Sequence, residues 1–132
     1  MTITVTRERS GPMRHTVRIG RHTLTVDEPP PNGGEDAGPT PHDLYDAALA
    51  ACKALTMVWY AQRKQIALED VEVDIERDAT AEQRGTYRLR ARVSLSGALS
   101  DAEREQLLSV ASRCQVHKLM TQATTEIETA WK

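Results

Sequence analysis

Apolar and polar residues alternate along the first 27 positions. In TITVTRERS, Ile3 and Val5 fall on one face of an extended chain and Thr2, Thr4 and Thr6 on the other. Ser10-Gly11-Pro12 interrupts the pattern as a turn. The alternation resumes at Val17 and Ile19, and again at Leu24 and Val26, on either side of Gly20-Arg21, a pair suited to a tight hairpin. Residues 1–27 are therefore expected to form a three-stranded antiparallel meander. Residues 28–40, EPPPNGGEDAGPT, are rich in proline and glycine. The meander before them is too short to hold a core alone, so they are expected to form a fixed loop across the surface or a partner, not a linker between domains.

The period changes at Thr40-Pro41. Threonine is a good N-cap, and proline loses nothing at the first helical position, where its missing N–H would have no partner. Asp43 in the first turn suits the helix dipole. Leu44, Ala48, Leu55 and Trp59, with Cys52 between them, recur at helical spacing, and Tyr45, Ala47, Ala50 and Met57 make the opposite side small or apolar as well. A helix apolar nearly all round is expected to be buried nearly all round. It should span residues 41–64. Residues 70–132 then read as two strands, a helix and a last strand. VEVDIER and TYRLRARVSLSG alternate cleanly, the second placing Tyr87, Leu89, Ala91, Val93 and Leu95 on one face. Ser100 and Glu103 form a capping box before an amphipathic helix whose inner stripe is Leu107, Val110, Ala111 and Cys114. VHKLMTQ is expected as a short helical turn and TTEIETAW as the final strand. The order βββ-α-ββ-α-β lacks the regular alternation of a parallel sheet and defines an α+β domain spanning residues 1–132.

Composition narrows the function classes. A chain of 132 residues with 39% hydrophobic and 27% charged residues is long enough to bury a core without a disulfide or metal staple. No stretch approaches the roughly 18 apolar residues of a membrane span, and the N-terminus lacks the apolar core of a signal peptide, so a cytoplasmic location with no membrane partner is expected. A formal net charge of −2 argues against nucleic acid as a partner. No C-x-x-C and no second ligand pair at finger spacing occur, so no metal ion is expected. NGGEDAG lacks the spacing and context of a phosphate loop, and no nucleophile elbow supports a serine hydrolase.

The two cysteines, Cys52 and Cys114, carry the remaining chemistry. Each admits two readings. One is a small hydrophobe filling a core. The other is a reactive thiol, favoured at Cys114 by Arg113 beside it and His117 shortly after, since a nearby cation stabilises thiolate.

The stretch from DEPPPNGGEDAGPTPHDLYDAALAACKAL to VEV, together with SGALSDAEREQLLSVASRCQVHKL, resembles the OsmC/Ohr family of hydroperoxide-detoxifying proteins. The shared pattern is an acidic-proline loop, Gly-Gly, Gly-Pro-x-Pro, then Ala-Leu-x-x-Cys in a long helix, and a capped helix ending in Cys-x-Val-His. The resemblance implies an intertwined homodimer with the long helix buried at its middle and sites built from both chains. It implies a thiol peroxidase acting on organic hydroperoxides, with Cys52 attacking, Cys114 resolving the sulfenic acid to an intrachain disulfide, and an external thiol or dithiol as reductant in place of any cofactor. Arg14, and after it Arg9, is the activating arginine that the resemblance implies. The chain departs from the family pattern at His42, where peroxidatic members carry a glutamate that orients the arginine, and at Gln115, commonly proline. Asp43 is the nearest carboxylate to the first departure, and His42 and His117 are accessory candidates. The alternative is an OsmC-like homodimer without peroxidase activity that binds a small apolar or thiol-reactive ligand at its interface.

Overall fold

A computed structural model describes residues 1–132. The chain divides into two compact units, Met1–Tyr45 and Asp46–Lys132.

In the first unit, β1 (Ile3–Arg7), β2 (His15–Ile19) and β3 (His22–Val26) form an antiparallel sheet in that order. Val5 pairs with Val17 and Val17 with Leu24, so the apolar alternation read from the sequence lines up on one face. Gly20 takes the left-handed conformation that the hairpin turn needs. The proline-rich loop is fixed, as expected, and Asp27 fixes it. Its buried carboxylate accepts the amides of Glu28 at 2.8 Å, Ala37 at 3.0 Å and Glu35 at 3.2 Å. These bonds, that of Ala37 foremost, hold the Asp27 carboxyl below its ordinary range. Gly34 is required where the loop folds back, because a Cβ there would meet the Glu28 carbonyl oxygen. The loop ends at Thr40, whose Oγ1 accepts the Asp43 amide at 3.1 Å while the Asp43 carboxylate accepts the Thr40 amide at 3.0 Å. This reciprocal cap starts α1 (Pro41–Lys64), which spans the residues expected and crosses the boundary between the units.

In the second unit, β4 (Leu68–Asp78) and β5 (Arg88–Gly97) pair antiparallel, with Val71 opposite Leu95 and Val73 opposite Val93. Ser100 and Glu103 form the predicted capping box, and α2 (Asp101–Ala111) follows. A short helix, α3 (Gln115–Thr121), comes next. The core is a contact between α1 and α2: Met57, Ala61, Leu107 and Ala111 are all buried, with Val71, Val73, Val93 and Leu95 of the hairpin packed against them. The architecture is α+β.

Two expectations are corrected. The last strand does not form, because alternation makes a segment compatible with a strand but a strand exists only where another edge accepts its hydrogen bonds. Residues 123–132 pair with no strand of the chain, and Ile127 and Trp131 stand exposed. The inward face of α1 also differs from the predicted apolar stripe. It consists of Asp46, Leu49, Lys53, Met57 and Ala61, whereas Leu55 and Trp59 are 70% and 56% exposed. Two charged residues therefore lie on the buried side, each with polar partners, and two large apolar residues lie outside.

Leu107 is fully buried at the contact of α1 with α2. Leu107→Ala should lower unfolding free energy by about 2–5 kcal/mol, the usual range for a buried leucine truncation, as read from denaturant midpoints.

Candidate functional site

The break between α2 and α3 brings the two cysteines together. After Ala111, the Ser112 and Arg113 amides still bond back to Leu108 and Val110, and then Cys114 turns extended and becomes the N-cap of α3. Its side chain turns inward and is 1% exposed. Cys52 lies beside the buried stripe of α1, one position before Lys53, and is half-buried. The Val116 amide donates to its sulfur at 3.4 Å. Cys114, the Thr56 hydroxyl and the Gln115 amide also act on this sulfur, each lowering its thiol. Both cysteines are free thiols.

This arrangement separates the two thiols electrostatically. Burial pushes the Cys52 thiol up, but the bonds from Val116, Cys114, Thr56 and Gln115 together outweigh it and bring Cys52 below the ordinary thiol value. Cys114 moves the other way. Its burial raises it and the His117 amide opposes that rise, while its bond to Cys52 and the charge there raise it further and the Lys53 ammonium lowers it. The two thiols are therefore moved apart, Cys52 downward and Cys114 upward.

Lys53 is 5% exposed. Its Nζ donates to the Ala111 carbonyl at 2.9 Å and bonds His117 Nδ1 at 3.0 Å. With the ammonium as donor, the imidazole proton sits on Nε2. A second buried network lies further along α1, where Asp46 accepts from Arg77 Nε at 2.5 Å and from the Tyr87 hydroxyl at 2.7 Å. Burial and the Asp46 carboxylate push Tyr87 up to about 12. An open cleft of about 480 Å³ adjoins Cys114. Leu55, Trp59 and Val110 give it apolar walls, and Arg113 and Lys118 stand at it. Arg63 lies over the Trp59 ring at 4.9 Å.

The other residues marked by the sequence lie in the first unit. Arg14 is 3.8 Å from the Glu35 carboxylate and bonds Ser10 Oγ through Nη1 at 3.4 Å. Its Nε is buried without a hydrogen-bond partner. Gly11 leaves the room this pair needs, since a Cβ would strike Glu35 Oε1. Arg9 is exposed. His42 is exposed in the first turn of α1, and Asp43 is engaged in the cap with Thr40. The carboxylate facing Arg14 is thus that of Glu35.

Sequence reasoning missed Lys53, Thr56 and Glu35, and also Asp46 with Arg77 and Tyr87. One signal was available. Lys53 stands four residues after Leu49 and four before Met57, so a lysine interrupts an apolar helical face. The other pairings join elements distant in the chain and leave no local trace. No group of three or more His, Cys, Asp or Glu side chains is placed to hold a metal ion. No helix is long and apolar enough to cross a membrane.

A three-stranded meander, a long helix, a hairpin and a capped helix ending at a second thiol define a class of mixed α+β proteins with paired cysteines. Residues 33–130 match the family model described as OsmC-like protein, and the chain belongs to that family. Its fold is similar to that of an OsmC-like protein from Mycoplasma pneumoniae, at TM-score 0.74 and 20% identity over 92% of this chain and 86% of the other. An organic hydroperoxide resistance protein OsmC from Legionella pneumophila is similar at TM-score 0.64 and 25% identity, covering 92% of this chain and 88% of the other. The organic hydroperoxide resistance protein OhrB of Bacillus subtilis is similar at TM-score 0.59 and 19% identity, covering 92% and 90%. Among curated proteins no match is found.

Two measurements check the electrostatics. Limiting iodoacetamide should label Cys52 first, with a pH midpoint below that of an ordinary thiol, while Cys114 reacts slowly until the chain unfolds; mass spectrometry of the peptides reads both. Tyr87 is raised in the folded state, so its contribution to stability is complete below about pH 10 and is lost as pH rises toward 12. Tyr87→Phe should cost on the order of 1 kcal/mol at neutral pH and flatten that alkaline loss in denaturant titrations.

Proposed function

We propose that this chain is a thiol-dependent peroxidase that reduces organic hydroperoxides and works as a homodimer with an external thiol or dithiol reductant. The observation that carries this reading is the placing of Cys52 beside the start of α3, where Cys114 is the N-cap and the Val116 amide, two residues on, donates to the Cys52 sulfur at 3.4 Å. It pairs a low thiol with a high one, as an attacking and a resolving cysteine require. The names of the Legionella and Bacillus relatives, both organic hydroperoxide resistance proteins, support the substrate class.

The chemistry balances with these groups. The Cys52 thiolate attacks the distal oxygen of R–O–OH, forming the S–O bond and breaking O–O. Sulfur is oxidised by two electrons and the alkoxide leaves, taking a proton to become R–OH. Cys114 then attacks the Cys52 sulfenic acid. An S–S bond forms, and the departing hydroxyl with the Cys114 proton leaves as water. Two external thiols reduce the disulfide. Arg14, with Arg9 as the lesser candidate, supplies the cation for the departing alkoxide at a site built from both chains. Its unpartnered buried Nε supports that role, since a buried donor without a protein acceptor is available to a ligand. Glu35 takes the orienting part that the family assigns to a glutamate at the position of His42. Asp43 contributes by capping α1 rather than by holding the arginine. His42 and His117 are accessory.

Exposed Tyr45, Leu55 and Trp59 on α1 support the dimer, because large apolar side chains grouped on one helix are a common mark of an interface. A second reading keeps this assembly and drops the peroxidase chemistry, leaving the cleft to bind a small apolar or thiol-reactive ligand. The apolar walls at Leu55, Trp59 and Val110 favour it.

One stoichiometric equivalent of cumene hydroperoxide should consume the Cys52 thiol and yield a Cys52–Cys114 disulfide by mass spectrometry. Cys52→Ser should reduce peroxide consumption to the uncatalysed background. Cys114→Ser should leave a sulfenic acid that dimedone traps. Intact thiols in the wild-type chain after peroxide treatment would refute the peroxidase and leave the binding reading.

A further inference from the structure

Lys53 is a buried ammonium with no carboxylate partner, and the chemistry above does not use it. Burying an unpaired charge costs several kcal/mol, so a cation persists there only where something balances it. Two of its three hydrogens have partners, the Ala111 carbonyl and His117 Nδ1. Both are neutral acceptors. The groups that titrate around Lys53 are Cys52 beside it on α1, Cys114 at the start of α3, and His117 on α3. From α2 it receives the Ala111 carbonyl. The side chains that β4 and β5 contribute to the adjoining core are Leu68, Val71, Val73, Val93 and Leu95, none of which titrates. Asp46, on the same face of α1, is engaged by Arg77 and Tyr87. The two partners of Lys53 bracket Cys114 in the chain, and the ammonium lowers that thiol.

We propose that Lys53 is the electrostatic partner of Cys114: it favours the Cys114 thiolate once Cys52 has become a sulfenic acid, with His117 anchoring the ammonium. The inference rests on the peroxidase reading for its place in the cycle. Of the two thiols Cys52 ionises the more readily, and its thiolate raises Cys114. Attack on peroxide transfers the charge to the alkoxide, which leaves as R–OH once protonated. Cys52 is then neutral, and both influences by which it raised Cys114, the hydrogen bond and the charge, disappear. The ammonium stays. It now faces one ionisable thiol, that of Cys114, and lowers the cost of its ionisation just when that thiol must become a nucleophile. The Cys114 proton leaves with the sulfenic hydroxyl as water, and the S–S bond forms. Lys53 neither gains nor loses a proton. It is a positioning residue, acting through the thiol it faces.

Rapid mixing of the reduced, full-length chain with cumene hydroperoxide separates the two steps, with dimedone trapping reporting sulfenic acid and acid quenching reporting disulfide. In Lys53→Met, disulfide closure should slow about tenfold or more at neutral pH, with the midpoint of its pH profile moved to higher pH. Lys53→Arg should restore closure most of the way, since it keeps the charge. Closure in Lys53→Met at the wild-type rate with an unmoved pH profile would overturn the proposal. So would equal slowing in Lys53→Arg with the profile unmoved, the mark of a packing role. A second arm uses no peroxide and varies Lys53 alone. In a Cys52→Ser background, the Cys114 thiol should ionise at higher pH with Lys53→Gln than with Lys53 in place, followed by thiolate ultraviolet absorbance and alkylation rate. An equal midpoint in the two chains would overturn the proposal even if Lys53→Met fails to fold. If the wild-type chain forms no sulfenic acid, the peroxidase reading fails, and this second arm still decides the role of Lys53.

Discussion

The chemistry of this chain depends on how α1 packs against α2. Met57 and Ala61 meet Leu107 and Ala111 without solvent between them, and the hairpin closes the other side. That contact fixes the end of α2 against the middle of α1. The Lys53–Ala111 hydrogen bond continues the same contact toward the N-terminus of α1, and the next residue along is Cys52. The chain leaving α2 then turns extended at Cys114, and the first amides of α3 point at the Cys52 sulfur. A fault of an ångström in the apolar contact would part the two thiols, because close-packed interiors transmit displacement rather than absorb it.

Within that frame the balance of opposing effects decides which thiol is lowered and which is raised. Burial alone would keep both cysteines protonated. Hydrogen bonds to a charged acceptor are each worth about 1.5–3 kcal/mol, so several of them converging on one sulfur overcome partial burial. Cys52 is half-buried and receives them. Cys114 is sealed and is raised by its desolvation. The asymmetry thus has a contribution from neutral donors, supplied by the backbone at a helix start and by a threonine one turn along α1.

Much of the fold was legible. The period-2 meander, the Thr40-Pro41 start and the Ser100–Glu103 box are local signals that local physics decides, and each stands where it was read. The extent of α1 followed from its cap and its apolar content. The face it buries did not. A search for the most apolar stripe selects Leu55 and Trp59, whereas burial is set by what the hairpin and α2 present, and they present partners that admit Asp46 and Lys53. The final strand failed for a related reason, since Ile127 and its neighbours carry the alternation but the edge they need is not in the pattern. The two thiols were legible as candidates, and family resemblance supplied their roles. The carboxylate beside Arg14 was not legible, since a helix-start pattern offers Asp43, whereas Glu35 comes from a loop whose path Asp27 dictates.

The residues that a pattern reader would bury and the structure leaves out now have a common location. Leu55 and Trp59 wall the cleft beside Cys114, and Arg63, Arg113 and Lys118 lie around the same walls. An apolar wall open to water loses the benefit of its surface, and a thiolate beside bulk water loses selectivity for an apolar peroxide. Covering Leu55 and Trp59 with a second chain would remove both losses at once. It would also dry the cleft and strengthen the attraction between Lys53 and the thiols, since charges interact more strongly as water is excluded. In the proposed dimer, assembly and reactivity are therefore coupled through one surface. The hydrophobic contact that joins the chains also sets the dielectric in which Lys53 acts on Cys114.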